Sequence, residues 1–386
     1  MLWRHNGPSL ALILSVCRNL TKIFYKNPDP YALLGLSLPY STNLVSLEIR
    51  AEKNELSETE LDNLFQCTPH LRCLRLDGCS FDIVPHLKRA SIQLVSLLVH
   101  PLEFQYGDDP DDYLTDKDDE LVDQGRCILR YFQNGGIIAI DSLKEIFETN
   151  HDSLQKLGLA THHDIMDLGG SQPTAENWQD LGPLPIFNQL KALVLNSTHH
   201  STGFNDKVPE LLRNCPNINS LSLHEFTANP SSTMFDPAAD LKSLTYLEIF
   251  TMDLASPPLI NLLERFVSQG KHSSLNTIEL NVCYGTAGEA MLLISKLMNL
   301  QELTFGDNFD DYTTTICAEQ FARNLGRLSK LQILDITGIK FSMYALSLLC
   351  ESKSLEYVSL NGMDEISLEV YSLFTNHNPS IYLSCT

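Results

Sequence analysis

Positive charge is what this chain has least of. Its 386 residues carry 27 Lys and Arg against 48 Asp and Glu, a formal net charge of −21. Binding nucleic acid without regard to base sequence depends on neutralising phosphates with Lys and Arg, so the charge balance argues against that class of partner. It argues equally against docking on an anionic membrane. Long hydrophobic runs are also missing, and no stretch approaches the roughly 20 apolar residues of a spanning helix. Ten cysteines are present, without a CxxC pair or a dense framework. Scattered thiols of this kind fit a reducing compartment, cytoplasmic or nuclear, rather than a disulfide scaffold. The sequence patterns of catalysis are lacking too: no G-x-S-x-G elbow, no P-loop and no H-E-x-x-H. With so many carboxylates, pairing any two as acid and base would be arbitrary. The expectation is a protein that is not an enzyme and needs no cofactor.

Apolar residues make up 43% of the chain and charged ones 19%, enough material for a sizeable core. Near the N-terminus an apolar run, Leu10 to Cys17, follows Arg4 and His5. No A-x-A-like cleavage site comes after it. The continuation "CRNLTKIFY" reads instead as a buried repeat helix leading into a strand.

The organising feature is a recurrent L-x-x-L-x-L. Its first position falls at Leu20, Leu44, Leu71, Leu94, Leu154, Leu190, Ile218, Leu244, Leu275, Leu300, Leu331 and Leu355, which makes twelve units. Most intervals are 23 to 31 residues; the exceptions are 60 after Leu94 and 36 after Leu154. The fourth and sixth positions alternate with polar ones, as a strand buried on one face requires. Helical stretches fill the spacers. "SETELDNLFQC" opens with a capping box, Ser57 to Glu60, and "TAGEAMLLISKLM" repeats the device with Thr286 and Glu289. "SPPLINLLERF" starts with Pro257 just inside the helix, where a missing N–H is harmless. One strand-plus-helix unit cannot bury its apolar face; stacked neighbours can. The predicted fold is an α/β solenoid spanning residues 1–386. A curved parallel sheet lines its concave face, helices its convex face, and residues 367–386 form a C-terminal cap whose tail "NPSIYLSCT" has the pattern of a further strand. The ninth position holds a small polar group in Cys79, Cys283 and Asn308, whereas Phe226 and Met252 read as poorer fits. Phe81, Phe104 and Phe341, ten residues after their first leucines, are placed between strand and helix.

"CPNINSLSL", "CTPHLRCLRLDGC" and "CRNLTKI" resemble the leucine-rich repeat part of F-box proteins of the ribonuclease-inhibitor-like class. The resemblance runs from about Pro8 to the end. It implies the substrate-recognition part of an SCF-type ubiquitin ligase acting in ubiquitin-dependent degradation, with a Skp-family adaptor as partner where an F-box exists upstream. No F-box is visible in these residues. The alternative is a stand-alone repeat scaffold or regulator with no ligase link. Solenoids of this kind are expected as monomers.

Two interruptions stand out. Residues 103–125 form an acidic insertion, with nine acidic residues against Lys117 between Asp108 and Asp123. Repulsion and scarce apolar content predict a solvated, flexible excursion, with contact to a basic partner or a calcium loop as alternatives. The segments "CILRYFQNGG" and "SLKEIFETN" that follow read as helices. The pairs His162/His163 and His199/His200 end the fifth and sixth units one step apart. They read first as exposed loop histidines that repel one another when protonated below about pH 6, with zinc binding, joined by Asp164 or His224, as the alternative.

A partner surface follows from alternation, since the third, fifth and seventh positions of each unit face away from the core. At the N-terminal end these are Lys22, Phe24, Lys26, Glu48, Arg50, Arg75 and Asp77. In the last five units they include Tyr246, Glu248, Phe250, Glu279, Asn281, Glu302, Asp335, Tyr357 and Asn361, an acidic and aromatic set. Rigid rings supply contact area and charges supply register, so a protein or peptide ligand of basic character is expected there.

Overall fold

The computed structural model describes residues 13, 17, 19–27, 43–51, 57–77, 82–90, 92–100, 129–134, 139–160, 177–197, 203–226, 231–284, 288–305, 315–337, 339, 341–361, 368–377 and 382–384. The acidic insertion, the two histidine pairs, Cys79, Asn308, Phe81 and Phe104 lie outside them, as do Asp164 and Thr286. The chain forms two compact units, Met1–Glu176 with Asp180–Gln189, and Asn177–Gln179 with Leu190–Thr386.

In the first unit the strands are β1 (Lys22–Asn27), β2 (Ser46–Ala51), β3 (Cys73–Asp77), β4 (Ser96–His100), β5 (Tyr131–Asn134) and β6 (Lys156–Ala160). They pair in sequence order, all parallel. Register sets fourth position on fourth and sixth on sixth: Leu47 faces Leu74 and Ile49 faces Leu76. These leucines are buried because the helices cover one face of the sheet. Helix Glu58–Cys67 is opened by the expected capping box, in which the Ser57 hydroxyl accepts from the Glu60 N–H and Glu60 accepts from the Ser57 N–H. Helix Val84–Arg89 packs next, tied to helix Ile140–Asn150 by Lys88–Glu145 and by the Ser142 hydroxyl donating to Asp82 at 2.5 Å.

Strand β5 corrects the reading of "CILRYFQNGG" as a helix. Residue 129 occupies the first position of a repeat, Phe132 the fourth, and both are buried. The sixth position is Asn134, so the apolar triad is broken and the unit hides inside the 60-residue interval. Backbone bonding exposes it. The carbonyl of a repeat's second residue accepts one or two N–H groups from the next repeat, and Arg130 takes its place between Val95 and Gln155, with 2.8 Å on either side. The segment "SLKEIFETN" is helical as expected.

In the second unit the strands are β7 (Ala192–Asn196), β8 (Ser220–His224), β9 (Tyr246–Phe250), β10 (Thr277–Asn281), β11 (Glu302–Phe305), β12 (Ile333–Thr337), β13 (Tyr357–Asn361) and β14 (Tyr382–Ser384). They too pair in sequence order and in parallel. The tail supplies β14, and with β5 the described strands outnumber the twelve leucine triads. Helices Phe204–Arg213, Asp236–Ala239, Pro257–Gln269, Gly288–Ile294, Thr315–Leu325, Met343–Leu349 and Leu368–His377 fill the intervals. Pro257 is the first residue of its helix. The helices lie on the side of the leucine rows, where Phe305 of β11 meets Phe321 edge-on with ring centroids 5.9 Å apart. Strand, parallel ladder and covering helix, repeated with fixed register, make each unit a leucine-rich repeat solenoid.

The ninth position needs a second correction. Phe226 and Met252 are as fully buried as Cys283. Just before each stands a residue with left-handed backbone: Glu225 at φ 57°, Thr251 at φ 49° and Val282 at φ 52°. That reversal after the strand turns the ninth side chain inward, so the site is an apolar plug rather than a small polar notch. Cys283 does both jobs, its thiol donating to the Ile249 carbonyl at 3.4 Å. Phe341 is buried as expected.

Candidate functional site: the open sheet face of the second unit

Alternation along β9, β10 and β12 is regular. Leu247, Ile249, Ile278, Leu280, Leu334 and Ile336 are buried, whereas the third, fifth and seventh residues between them are partly exposed. Tyr246, Glu248, Phe250, Glu279, Asn281, Glu302, Asp335 and Tyr357 therefore share the face turned away from the helices. Asn361 closes β13 at the same level as Thr337, and its side chain lies outside the described residues. The structure brings the third- and fifth-position residues together as two rows, and pairs Phe250 with Asn281 at the seventh. Ser222, Glu248, Glu279, Thr304, Asp335, Ser359 and Ser384 are successive register partners in the fifth position. The third-position row runs Ser220, Tyr246, Thr277, Glu302, Ile333, Tyr357, Tyr382.

Not one Lys or Arg occupies a third, fifth or seventh position of β7–β14. Among the described residues the carboxylates on this face pair with no Lys or Arg. Elsewhere in the same unit some carboxylates do: Lys207 meets Glu210 at 3.0 Å, and Arg265 meets Asp236 at 3.0 Å and Asp240 at 2.8 Å, all among the helices. In the first unit, Arg75 pairs with Glu48 at 3.4 Å across β3 and β2, so the corresponding row there is internally compensated.

Glu248 is the best-held of the acidic group. The Ser222 hydroxyl donates to its Oε2 at 2.7 Å, and His224 Nε2 stands 3.7 Å away. Burial alone would raise its pKa. His224, Ser222 and Asn281 outweigh that effect and hold Glu248 below the ordinary glutamate range. Glu279 next to it behaves oppositely. Burial pushes its pKa up, and the charges of Glu248 and Glu302 push the same way against a hydrogen bond from Tyr246. Asp335 keeps Oδ1 buried with no hydrogen-bond partner. A row of half-buried anions with His224 beside one end and no Lys or Arg partner among the described residues is a site of negative potential.

Aromatic groups flank the anions. The His224 and Phe250 rings lie 5.3 Å apart at 40°, and Tyr357 stacks on Tyr382 at 5.4 Å and 11°. Tyr382 is 64% exposed. Sequence reasoning passed over Ser222, took His224 only as a candidate zinc donor, and passed over Tyr382. The first two are legible as fifth and seventh positions of the Ile218 unit. Tyr382 stands directly before Leu383 in a tail without a leucine at the first position. Val282 and Tyr284, exposed beyond β10, carry no repeat-position signal. Among the described residues no cluster of His, Cys, Asp and Glu is arranged to hold a metal ion, and no helix is long and apolar enough to cross a membrane.

No protein-family model and no curated protein matches the chain. Among solved structures it is similar to the Rad7 and Elc1 complex of yeast, with a TM-score of 0.45 and 16% identity over 98% of this chain and 87% of that one. It is similar also to an internalin (inlF) of Listeria monocytogenes, with a TM-score of 0.38 and 14% identity over 95% of this chain and 82% of that one.

Proposed function

We propose that the protein is a protein-interaction module whose second unit captures a basic segment of another protein on its open sheet face. One observation supports this above the rest. Among the described residues, Glu248, Glu279, Glu302 and Asp335 line one face without a Lys or Arg partner, while the helix-side carboxylates Asp236, Asp240 and Glu210 are paired. Half-buried like charges held side by side destabilise a free protein, and a cationic ligand turns that cost into affinity. Tyr246 and Phe250 supply rigid contact area beside them.

Capture from lysate by the full chain, compared with its Tyr246→Ala/Phe250→Ala variant, tests the location. Loss of the captured protein in the variant supports the site; unchanged capture places the partner elsewhere.

The narrower reading is the substrate receptor of an SCF-type ubiquitin ligase. It is supported by the resemblance of "CTPHLRCLRLDGC" and "CPNINSLSL" to F-box/leucine-rich repeat proteins. Its test is co-precipitation of a Skp-family adaptor with the full chain. Failure to bind one leaves a scaffold or regulator without a ligase link.

A further inference from the structure

Three of the four carboxylates stand at one level of the sheet. Glu248 and Glu279 are register partners on β9 and β10, Thr304 continues the row on β11, and Asp335 follows on β12. Glu302 lies two residues before Thr304. Parallel strands stand about 4.8 Å apart, so Glu248 to Asp335 is three steps, or about 14 Å measured across the strands. A ligand chain running along a strand meets one of these groups. A chain running across the strands passes over three of them and brings Glu302, two residues to the side, within reach of a long side chain.

An extended chain advances about 3.3 Å per residue and turns alternate side chains to one side, so the residues facing the sheet recur about every 6.7 Å. Three of them cover the distance. The first lies over Glu248 and Glu279, the second over Glu302, and the third over Asp335. Aromatic rings mark both ends of the track, Phe250 beside His224 and Tyr357 against Tyr382. A guanidinium is planar, matches a carboxylate with two parallel donors and stacks on ring faces; an ammonium does neither.

Given the reading above that this face binds a basic segment, we propose that the segment is extended, crosses β9–β12, and carries arginines at alternate positions, Arg-x-Arg-x-Arg. The spacing of the anions selects this pattern over the same charges placed in a block.

Fluorescence anisotropy with two labelled peptides of one composition, GRSRSRG and GRRRSSG, separates spacing from net charge. The block peptide turns one arginine away from the sheet, so the alternating one is expected to bind about fivefold tighter, the effect of one charge pair. Asp335→Asn should weaken the alternating peptide about fivefold and leave the block peptide nearly unchanged. Equal affinities, both reduced by Glu248→Gln, would overturn the alternating pattern and leave the basic-partner reading standing. Absence of binding by either peptide at low salt would overturn both.

Discussion

Glu248 and Glu279 show how much of this protein's chemistry is set between neighbouring side chains. They are register partners, so two carboxylates face each other across β9 and β10. Directly opposed like charges cost about 0.2–1 kcal/mol, and Glu279→Gln is expected to stabilise the free protein by that amount at pH 7, measured by urea unfolding. The pH dependence fixes the assignment. A carboxyl whose pKa is raised on folding favours the native state in acid and loses that advantage as pH rises through its folded value. The gain from Glu279→Gln should therefore grow with pH above the ordinary glutamate range. Glu248 has the opposite sign: its depressed pKa contributes stability above the ordinary value, lost as pH falls through the folded one. Met252 sits at a different kind of position. It is fully buried behind left-handed Thr251, and Met252→Ala should cost about 2–5 kcal/mol, as for any large core side chain. A polar ninth position would have tolerated that change.

Each repeat is stable only against its neighbours, and the contacts that join them are checkable one element at a time. Removing the Ser57 hydroxyl with Ser57→Ala leaves the first turn of helix Glu58–Cys67 without its side-chain acceptor, for a loss of about 1 kcal/mol in thermal or urea unfolding. Gly326 ends helix Thr315–Leu325 against the backbone of the next repeat, where an added Cβ would overlap the Leu348 carbonyl oxygen. Backbone gives way less readily than a side chain, so Gly326→Ala should cost about 1–3 kcal/mol. Strand β5 carries the lesson about legibility. Its leucine pattern is broken at Asn134, and nothing local distinguishes Tyr131–Asn134 from a helix turn. The strand exists because Arg130 bridges the backbones of two neighbouring repeats. Pattern reading works where both apolar positions are present and fails where one suffices.

For the whole molecule the stacking is one-dimensional, and damage should stay local. Leu334→Ala in β12 is expected to speed amide exchange first in β11, β12 and β13, with β7 and β8 keeping their protection. Exchange rising uniformly across β7–β14 would mean that the unit opens as one cooperative block instead. Peptide binding on the open face should also weaken as salt is raised, since its driving force is charge pairing at a partly solvated surface.

Twelve leucine triads, a charge of −21 and a capping box at Ser57 were enough to dictate a repeat of strand and helix, its burial pattern, and the absence of cations from one face of β7–β14. Those are properties of composition and period, and they need no partner strand to be read. The pairing of Glu248 with Glu279, the orphaned oxygen of Asp335, the stacking of Tyr382 on Tyr357 and the inward turn of Met252 belong to the folded chain alone. They depend on register between segments 25 to 31 residues apart and on left-handed residues that follow the strands, such as Thr251. Period tells which way a side chain points; only the stacked neighbours tell what it meets.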